Sequence, residues 1–199
     1  MIDPPAGNFF DKHHSRNPAV RFLMNQFHDH FGRLIGQVAP RSVLDAGCGE
    51  GYTTRRILSA APQVDLLAGM DIAPQVLRTA RGSCPELSAF AGSAEKIPLA
   101  DNAFDLVIAC EILEHLEDPN AAVREIRRVS KGPCLFSVPW EPVWRILNIA
   151  RGAYWTDLGN TPGHRNHWSR AGFRRLLEPH FASVRIVACW TWTFALCGN

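Results

Sequence analysis

No C-x-x-C pair occurs among the six cysteines at positions 48, 84, 110, 134, 189 and 197. They lie mostly inside apolar runs, as reduced core thiols do, which excludes a disulfide scaffold and points to the cytoplasm. Nor is there an H-E-x-x-H motif or a Cys/His grouping, so no metal is expected. An excess of one charge is also missing: 21 basic residues face 19 acidic ones for a net charge of +2. The chain therefore has no broad field to steer nucleic acid or an anionic membrane, and neither is expected as a partner. Long apolar runs are absent too. The longest uncharged run, Ile186 to Asn199, is broken by Thr and Gly and falls short of the ~18 to 20 residues needed to span a bilayer. Met1 to Phe10 carries Asp3 and two prolines where a signal peptide would have a basic region and an apolar stretch, so export is not expected. The two tyrosines, Tyr52 and Tyr154, are followed four positions on by Arg56 and Leu158, so the Tyr-x-x-x-Lys pair of many nicotinamide oxidoreductases is missing.

What remains is a chain of 199 residues, 46% apolar and 20% charged, with neither repeat nor low-complexity tract. That composition fits one globular domain with a substantial core. Short β-rich apolar runs alternate with segments of helical spacing, which predicts a parallel sheet covered by helices. Strands are expected at Ser42–Asp45, Asp65–Asp71, Leu87–Ala91, Phe104–Cys110 and Cys134–Val138. The fourth reads FDLVIAC, a run suited to a sheet centre buried on both faces. Between them, helices are predicted through Tyr52–Ala60, from Pro74 to about Gly82, and from Pro119 to Lys131 with Asp118 as N-cap and Gly132 just past its end. After the fifth strand, Pro139 and Pro142 break the rhythm, and residues 140–168 read as an insertion containing a helix at Val143–Ala150 and a loop at Thr156–His167. A helix at Ser169–Leu177 and two strands, Ala182–Cys189 and Thr191–Leu196, follow.

Chemistry concentrates in the first strand-to-helix turn, Val43-Leu44-Asp45-Ala46-Gly47-Cys48-Gly49-Glu50-Gly51, and in Asp71 at the end of the second strand. In a doubly wound sheet this turn lies at the carboxyl edge where ligands bind, and an acidic residue there accepts both hydroxyls of a ribose. The glycine spacing departs from G-x-G-x-x-G, and Asp45 and Glu50 would repel a pyrophosphate. Both carboxylates suit a ligand bearing an ammonium and a sulfonium, as S-adenosylmethionine does. Cys48 reads as a small filler beside the loop, since no neighbouring His or Lys lowers its thiol pKa.

VLDAGCGEG, then GMDIAP, then GSAEKIPLADNAFDLVIACEILEHLEDP resembles the class I S-adenosylmethionine-dependent methyltransferases, near the ubiquinone/menaquinone-type and small-molecule group. The likeness spans residues 41 to 139. It implies a Rossmann-like, doubly wound, mostly parallel seven-stranded α/β sheet with an N-terminal helical cap, arranged as cap (1–40), cofactor core (41–139), substrate-side insertion (140–168), and a last helix with closing strands (169–199). By the resemblance, Asp45, Gly47, Cys48 and Gly49 face the methionine part of the cofactor, and Asp71 and Ile72 the nucleoside. Ser93, Ala94 and Glu95 border the adenine, with a hydroxyl at Ser93 where many members carry Asp, and Cys110 and Glu111 close the pocket. The segment Asn8-Phe9-Phe10-Asp11-Lys12 resembles the family's cap helices, with Lys12 in reach of the cofactor carboxylate.

The acceptor side is read from the residues. His115 follows the fourth strand in Glu111-Ile112-Leu113-Glu114-His115-Leu116, where it either faces the reacting methyl or caps the next turn. Gly159-Asn160-Thr161-Pro162-Gly163-His164-Arg165-Asn166-His167-Trp168 is rich in hydrogen-bonding groups on the edge where substrate enters. His164 and His167 are candidate general bases, because imidazole titrates near neutral pH; a self-bonded loop is the structural alternative. All six tryptophans fall after residue 139. Trp140, Trp144, Trp155 and Trp168 suggest a partly apolar or aromatic small-molecule acceptor, with Trp190 and Trp192 placed in strands. Arg165, Arg170, Arg174 and Arg175 are a candidate anion site. The Asn/Asp-Pro-Pro-Tyr/Phe of amino-methylating enzymes acting on nucleic acid and protein is replaced by Ala109-Cys110-Glu111-Ile112. The expected activity is methyl transfer to O, N or activated C of a metabolite, yielding S-adenosylhomocysteine. The alternative is a non-catalytic cofactor-binding module supporting a pathway enzyme.

Overall fold

The computed structural model describes residues 15–141, 143–150 and 158–198. Fourteen elements follow in chain order, and their bounds track the sequence patterning closely. Helix α1 (Pro18–Val38) starts where Asn17 Oδ1 accepts the Ala19 N–H at 2.9 Å and Pro18 supplies a ready-set φ. Its buried side chains, Met24, Phe27, Phe31, Leu34 and Ile35, recur at three- and four-residue spacing and make one apolar stripe. Strand β1 (Ser42–Ala46), helix α2 (Arg55–Ala60), strand β2 (Leu66–Asp71), helix α3 (Pro74–Ser83) and strand β3 (Ser88–Ala91) follow. Strand β4 (Leu106–Cys110) leads through a single 3-10 turn (Leu113–His115) to helix α4 (Pro119–Val129) and strand β5 (Cys134–Pro139). Helix α5 (Val143–Ala150), helix α6 (Arg170–Leu177), strand β6 (Ser183–Cys189) and strand β7 (Trp192–Gly198) complete the order.

The seven strands form one sheet in the order β3-β2-β1-β4-β5-β7-β6. The β1–β2, β1–β4, β2–β3 and β4–β5 pairs are parallel, and β7 runs antiparallel to both its neighbours. Alternate residues of the central strands feed two cores. Leu44, Val107 and Ala109 face α4 and α6, where Ala122, Val123, Ile126, Phe173 and Leu177 cover them. Val43, Leu106 and Ile108 face the stripe of α1 together with Ile57, Ala80, Trp192 and Phe194. As FDLVIAC suggested, Leu106 through Ala109 are fully buried on both faces. Helix α1 is thus part of the layer covering one sheet face, and the segment Asn8–Lys12 lies outside the described residues.

Two helix ends differ from expectation: α2 starts at Arg55 instead of Tyr52, and α4 ends early. Asp118 caps α4 through Ala121 N–H at 3.0 Å, but the helix stops at Val129, because Ser130 turns extended and pairs with Phe104. Gly132 is not the left-handed cap. A Cβ there would sit 2.1 Å from the carbonyl oxygen of Asp105, so the position needs glycine for close backbone approach. Trp140, just past the end of β5, and Trp168, just before α6, pair as an isolated parallel bridge.

Candidate active site

β1 lies between β2 and β4, so the connections leave the carboxyl ends of β1 and β4 in opposite directions and open a crevice between them. The Gly47–Gly51 turn floors that crevice. Gly47 and Cys48 both donate their N–H to the Met70 carbonyl, at 2.7 and 3.0 Å, which folds the turn tightly against β2. Gly47, Gly49 and Gly51 all have positive φ, of 83°, 52° and 79°. Their missing side chains serve different ends. A Cβ on Gly47 would lie 2.2 Å from Ile112 Cγ2, one on Gly51 would crowd Ala80, and one on Gly49 would meet nothing within 4 Å. Gly49 therefore faces open space, as a backbone that must approach a ligand does.

Two carboxylates flank this opening. Asp71 is held by backbone: Oδ2 accepts Gly49 N–H at 3.0 Å and Oδ1 accepts Ala73 N–H at 2.9 Å. Each oxygen keeps a further lone pair, so the fixed carboxylate presents two acceptors side by side, the arrangement a vicinal diol needs. Asp45 is only 4% exposed and accepts the Thr54 hydroxyl at 2.5 Å. Burial raises its pKa to about 6, and the charge of Asp71 adds to the rise while the Thr54 bond opposes it. Beside Asp71, Ile72 is 74% exposed, an apolar side chain left uncovered at the crevice mouth.

Across the crevice, Glu111 follows β4 directly and lies in the left-handed region at φ 59°. That conformation is costly for a side chain with a Cβ and persists only where neighbours fix it. Here Oε1 accepts Ser137 Oγ–H at 3.0 Å and Oε2 accepts Trp192 Nε1–H at 2.8 Å. Trp192 packs against Phe27 and Trp144 at ring separations of 5.1 and 5.7 Å, an aromatic wall in which Phe27 and Trp192 belong to the buried core and Trp144 is half-buried. Trp144 Nε1–H and Asn148 Nδ2–H both reach Thr161 Oγ1, at 2.9 and 3.1 Å, so α5 anchors the loop that carries the histidines. His167 Nε2 bonds Asn160 Oδ1 at 2.6 Å, and burial, helped by the charge of Arg145, lowers its pKa.

A fold-independent match agrees with this geometry: residues 44–136 fit the family described as a methyltransferase domain. The malonyl-[acyl-carrier protein] O-methyltransferase of Halorhodospira halophila is 31% identical over 158 residues, covering 76% of this chain and 52% of that protein. The methyltransferase domain of the bacterial protein CtHen1-CN superposes with a TM-score of 0.71 at 18% identity, over 89% of this chain and 100% of that one. The magnesium protoporphyrin IX methyltransferase of Synechocystis, solved with bound S-adenosylhomocysteine, superposes at 0.67 and 15% identity, over 93% and 89% of the two chains. The chain thus carries, at residues 44–136, a methyltransferase domain of the class I S-adenosylmethionine-dependent type. It spans about half, or less, of the length of the curated relatives it matches.

The residues fit the family's cofactor. An open-faced Gly49 leaves room for a ligand beside the paired acceptors on Asp71 and the buried carboxylate of Asp45, the acceptors that a ribose and an ammonium require. Because the folded pKa of Asp45 exceeds the ordinary carboxylate value of 3.8, its stability contribution is complete below about 4 and is lost as pH rises through about 6. A bound ammonium reverses that preference. Affinity for S-adenosylmethionine is therefore expected to rise about tenfold from pH 5 to pH 7, and Asp45→Asn to flatten the slope, as calorimetric titration at several pH values would record.

The fold places the other candidates unevenly. Cys48 tucks its sulfur against Gly69, and Cys110 is half-buried at the end of β4; desolvation, with nearby carboxylates adding, pushes both thiols far up, so neither is a nucleophile. Ser93 Oγ accepts the Glu95 N–H at 3.2 Å, and Ala94 is buried beside it. The Glu95 carboxylate turns to the Glu117 and Asp118 N–H groups, at 3.1 and 2.9 Å, so that oxygen holds the approach to α4. Lys12 and Trp155 lie outside the described residues. Of the four arginines suggested as an anion site, Arg165 pairs with Glu117 at 2.6 Å, Arg174 with Glu178 at 3.5 Å, and Arg170 lies 3.6 Å over the Trp140 ring. Trp190, expected in a strand, sits at a tight turn, 57% exposed, against Phe22. Sequence reading missed Thr54, Ser137 and Glu114, polar residues that acquire meaning only from partners distant in the chain. An acid inside the otherwise apolar Ile112-Leu113-Glu114 stretch was the one available signal.

Proposed function

We propose that this chain methylates O, N or activated C of a small metabolite with an apolar or aromatic portion. The observation that favours this reading is the half-buried Trp144, which packs on the core rings of Trp192 and Phe27 and donates Nε1–H to Thr161 of the loop that carries the histidines. Bound S-adenosylmethionine supplies an electrophilic methyl on a sulfonium. Asp71 orients the ribose; Asp45, Gly47, Cys48 and Gly49 line the methionine part, with Cys48 contributing backbone. Ile72 covers the adenine, Ser93, Ala94 and Glu95 border it, and Cys110, Glu111 and Lys12 close the remainder. The protein's main task is then to align acceptor and methyl and to exclude water, for which the aromatic wall is suited. His167 donates Nε2–H to Asn160, which leaves Nδ1 to accept a proton from an acceptor hydroxyl or amine. A cytoplasmic setting is supported by six cysteines that are all free. No described helix is long and apolar enough to cross a membrane.

Methyl-labelled cofactor incubated with metabolite extracts tests the activity. Label in a small molecule is expected; cofactor binding without any transfer would favour the non-catalytic module. With an acceptor in hand, Trp144→Ala should raise its KM about tenfold, since that substitution removes a large apolar contact, and leave cofactor affinity unchanged. His167→Ala should lower kcat about 100-fold at constant cofactor affinity, and an unaltered kcat would remove His167 from proton transfer.

A further inference from the structure

Glu114 and His115 sit in the 3-10 turn after β4, and His164 sits in the loop before α6. All of α4, β5 and α5 separates them in the chain, yet one ligand atom from each lies within 4.8 Å of the other two. The loop is fastened to the turn by several independent bonds. Arg165 and Asn166 donate their N–H to the Glu114 carbonyl at 2.8 and 3.1 Å, and Asn166 Nδ2–H reaches the Leu113 and Leu116 carbonyls at 3.2 and 2.7 Å. His115 is oriented as well, with Nδ1 bonded to the Gly163 carbonyl at 3.0 Å. A carbonyl only accepts, so Nδ1 carries the proton and the neutral ring offers its lone pair at Nε2. Imidazoles that ligate metals are held in this way, by a carbonyl or carboxylate on the other nitrogen.

The donor set is chemically selective. Glu114 is 2% exposed, and a carboxylate that deep is stabilised strongly by a cation close to it. Two imidazole nitrogens with one carboxylate oxygen suit borderline divalent ions, and three protein ligands leave coordination positions open to substrate or water. Neighbouring ligand atoms around such an ion stand roughly 3 to 3.5 Å apart, so side-chain rotation of about an ångström completes the geometry. The open side adjoins the acceptor loop: the His164 ring is 5.0 Å from His115 and 6.4 Å from His167.

We propose that Glu114, His115 and His164 bind a divalent cation of the zinc or manganese type, and that its open positions take oxygen atoms of the acceptor. The acceptor class is then a hydroxyl flanked by a second oxygen, as in a catechol, a vicinal diol or a hydroxycarboxylate. The cation site stands on its own geometry; the assignment of its open positions rests on the methyltransferase reading. His115 and His164 become ligands, and His167 remains the imidazole available for a proton.

The test is calorimetric titration of chelator-stripped protein with Mn²⁺ and, separately, Zn²⁺, without S-adenosylmethionine. One equivalent of at least one ion is expected to bind. His164→Ala and His115→Ala, both outside the buried core, should each weaken it at least 30-fold, as should Glu114→Gln if thermal melting shows that variant folded; His30→Ala, on α1, should not. No saturable binding of either ion, or binding unchanged in both histidine variants, overturns the cation site. Catechol affinity measured with and without the saturating ion tests the second half: tightening supports oxygen ligation, and equal affinity overturns it. A parallel S-adenosylmethionine titration separates the readings, since ion binding with no cofactor binding would sink the methyltransferase assignment while leaving the cation site in place.

Discussion

Asp71→Ala is expected to weaken S-adenosylmethionine binding roughly a thousandfold. Two charge-assisted hydrogen bonds to a ribose, at about 2 kcal/mol each, set that scale. The same carboxylate also takes the Gly49 and Ala73 N–H groups, so alanine frees the turn as well as the diol. Asp71→Asn keeps an acceptor oxygen and the side chain's shape, and is expected to retain more affinity than alanine. Calorimetric titration of the three proteins, with thermal melting alongside, separates ligand contact from loop support. Equal affinity for wild type and Asp71→Ala would show that the ribose is held elsewhere.

The glycine turn yields the second large effect through a contrast. Gly47→Ala places a methyl 2.2 Å from Ile112 Cγ2 at a φ of 83°, so overpacking and backbone strain add. A loss of about 3 kcal/mol of stability is expected, read from denaturant unfolding. Gly49→Ala meets nothing within 4 Å and pays only for its left-handed φ, about 1 kcal/mol. Its methyl instead enters the space over the turn, so cofactor affinity should fall at least tenfold while the fold survives. Equal stability of the two variants would contradict the packing described for Gly47.

The cofactor half was legible because its determinants are local. Val43 to Gly51 forms a strand and a tight turn within nine residues, and Asp71 follows at the end of the next parallel strand. Strand β4 announced itself by an unbroken apolar run, and α4 by Asp118-Pro119. The helix end at Val129 was misjudged because Gly132 answers to Asp105 across the sheet, a contact no local pattern encodes. The acceptor half was only partly legible for the same reason. His115, His164 and His167 drew attention as residue types, but the backbone bonds that bring Glu114 beside them span the whole insertion. Glu111's partners, Ser137 and Trp192, likewise lie on other strands.

The position of β7 between β5 and β6 fixes an order of assembly. On a ribosome, β6 emerges first but has no edge to join until β7 exists, because its pairing is with β7. Strands β1 to β5 pair among themselves, but the cores on their two faces are completed only by Phe173 and Leu177 of α6 and by Trp192 and Phe194 of β7. Trp192, which opens β7 and fixes Glu111, arrives only with that strand. A nascent chain halted before residue 192 would thus hold the nucleotide-binding strands without an acceptor wall, and its exposed β5 edge would be the place where it aggregates.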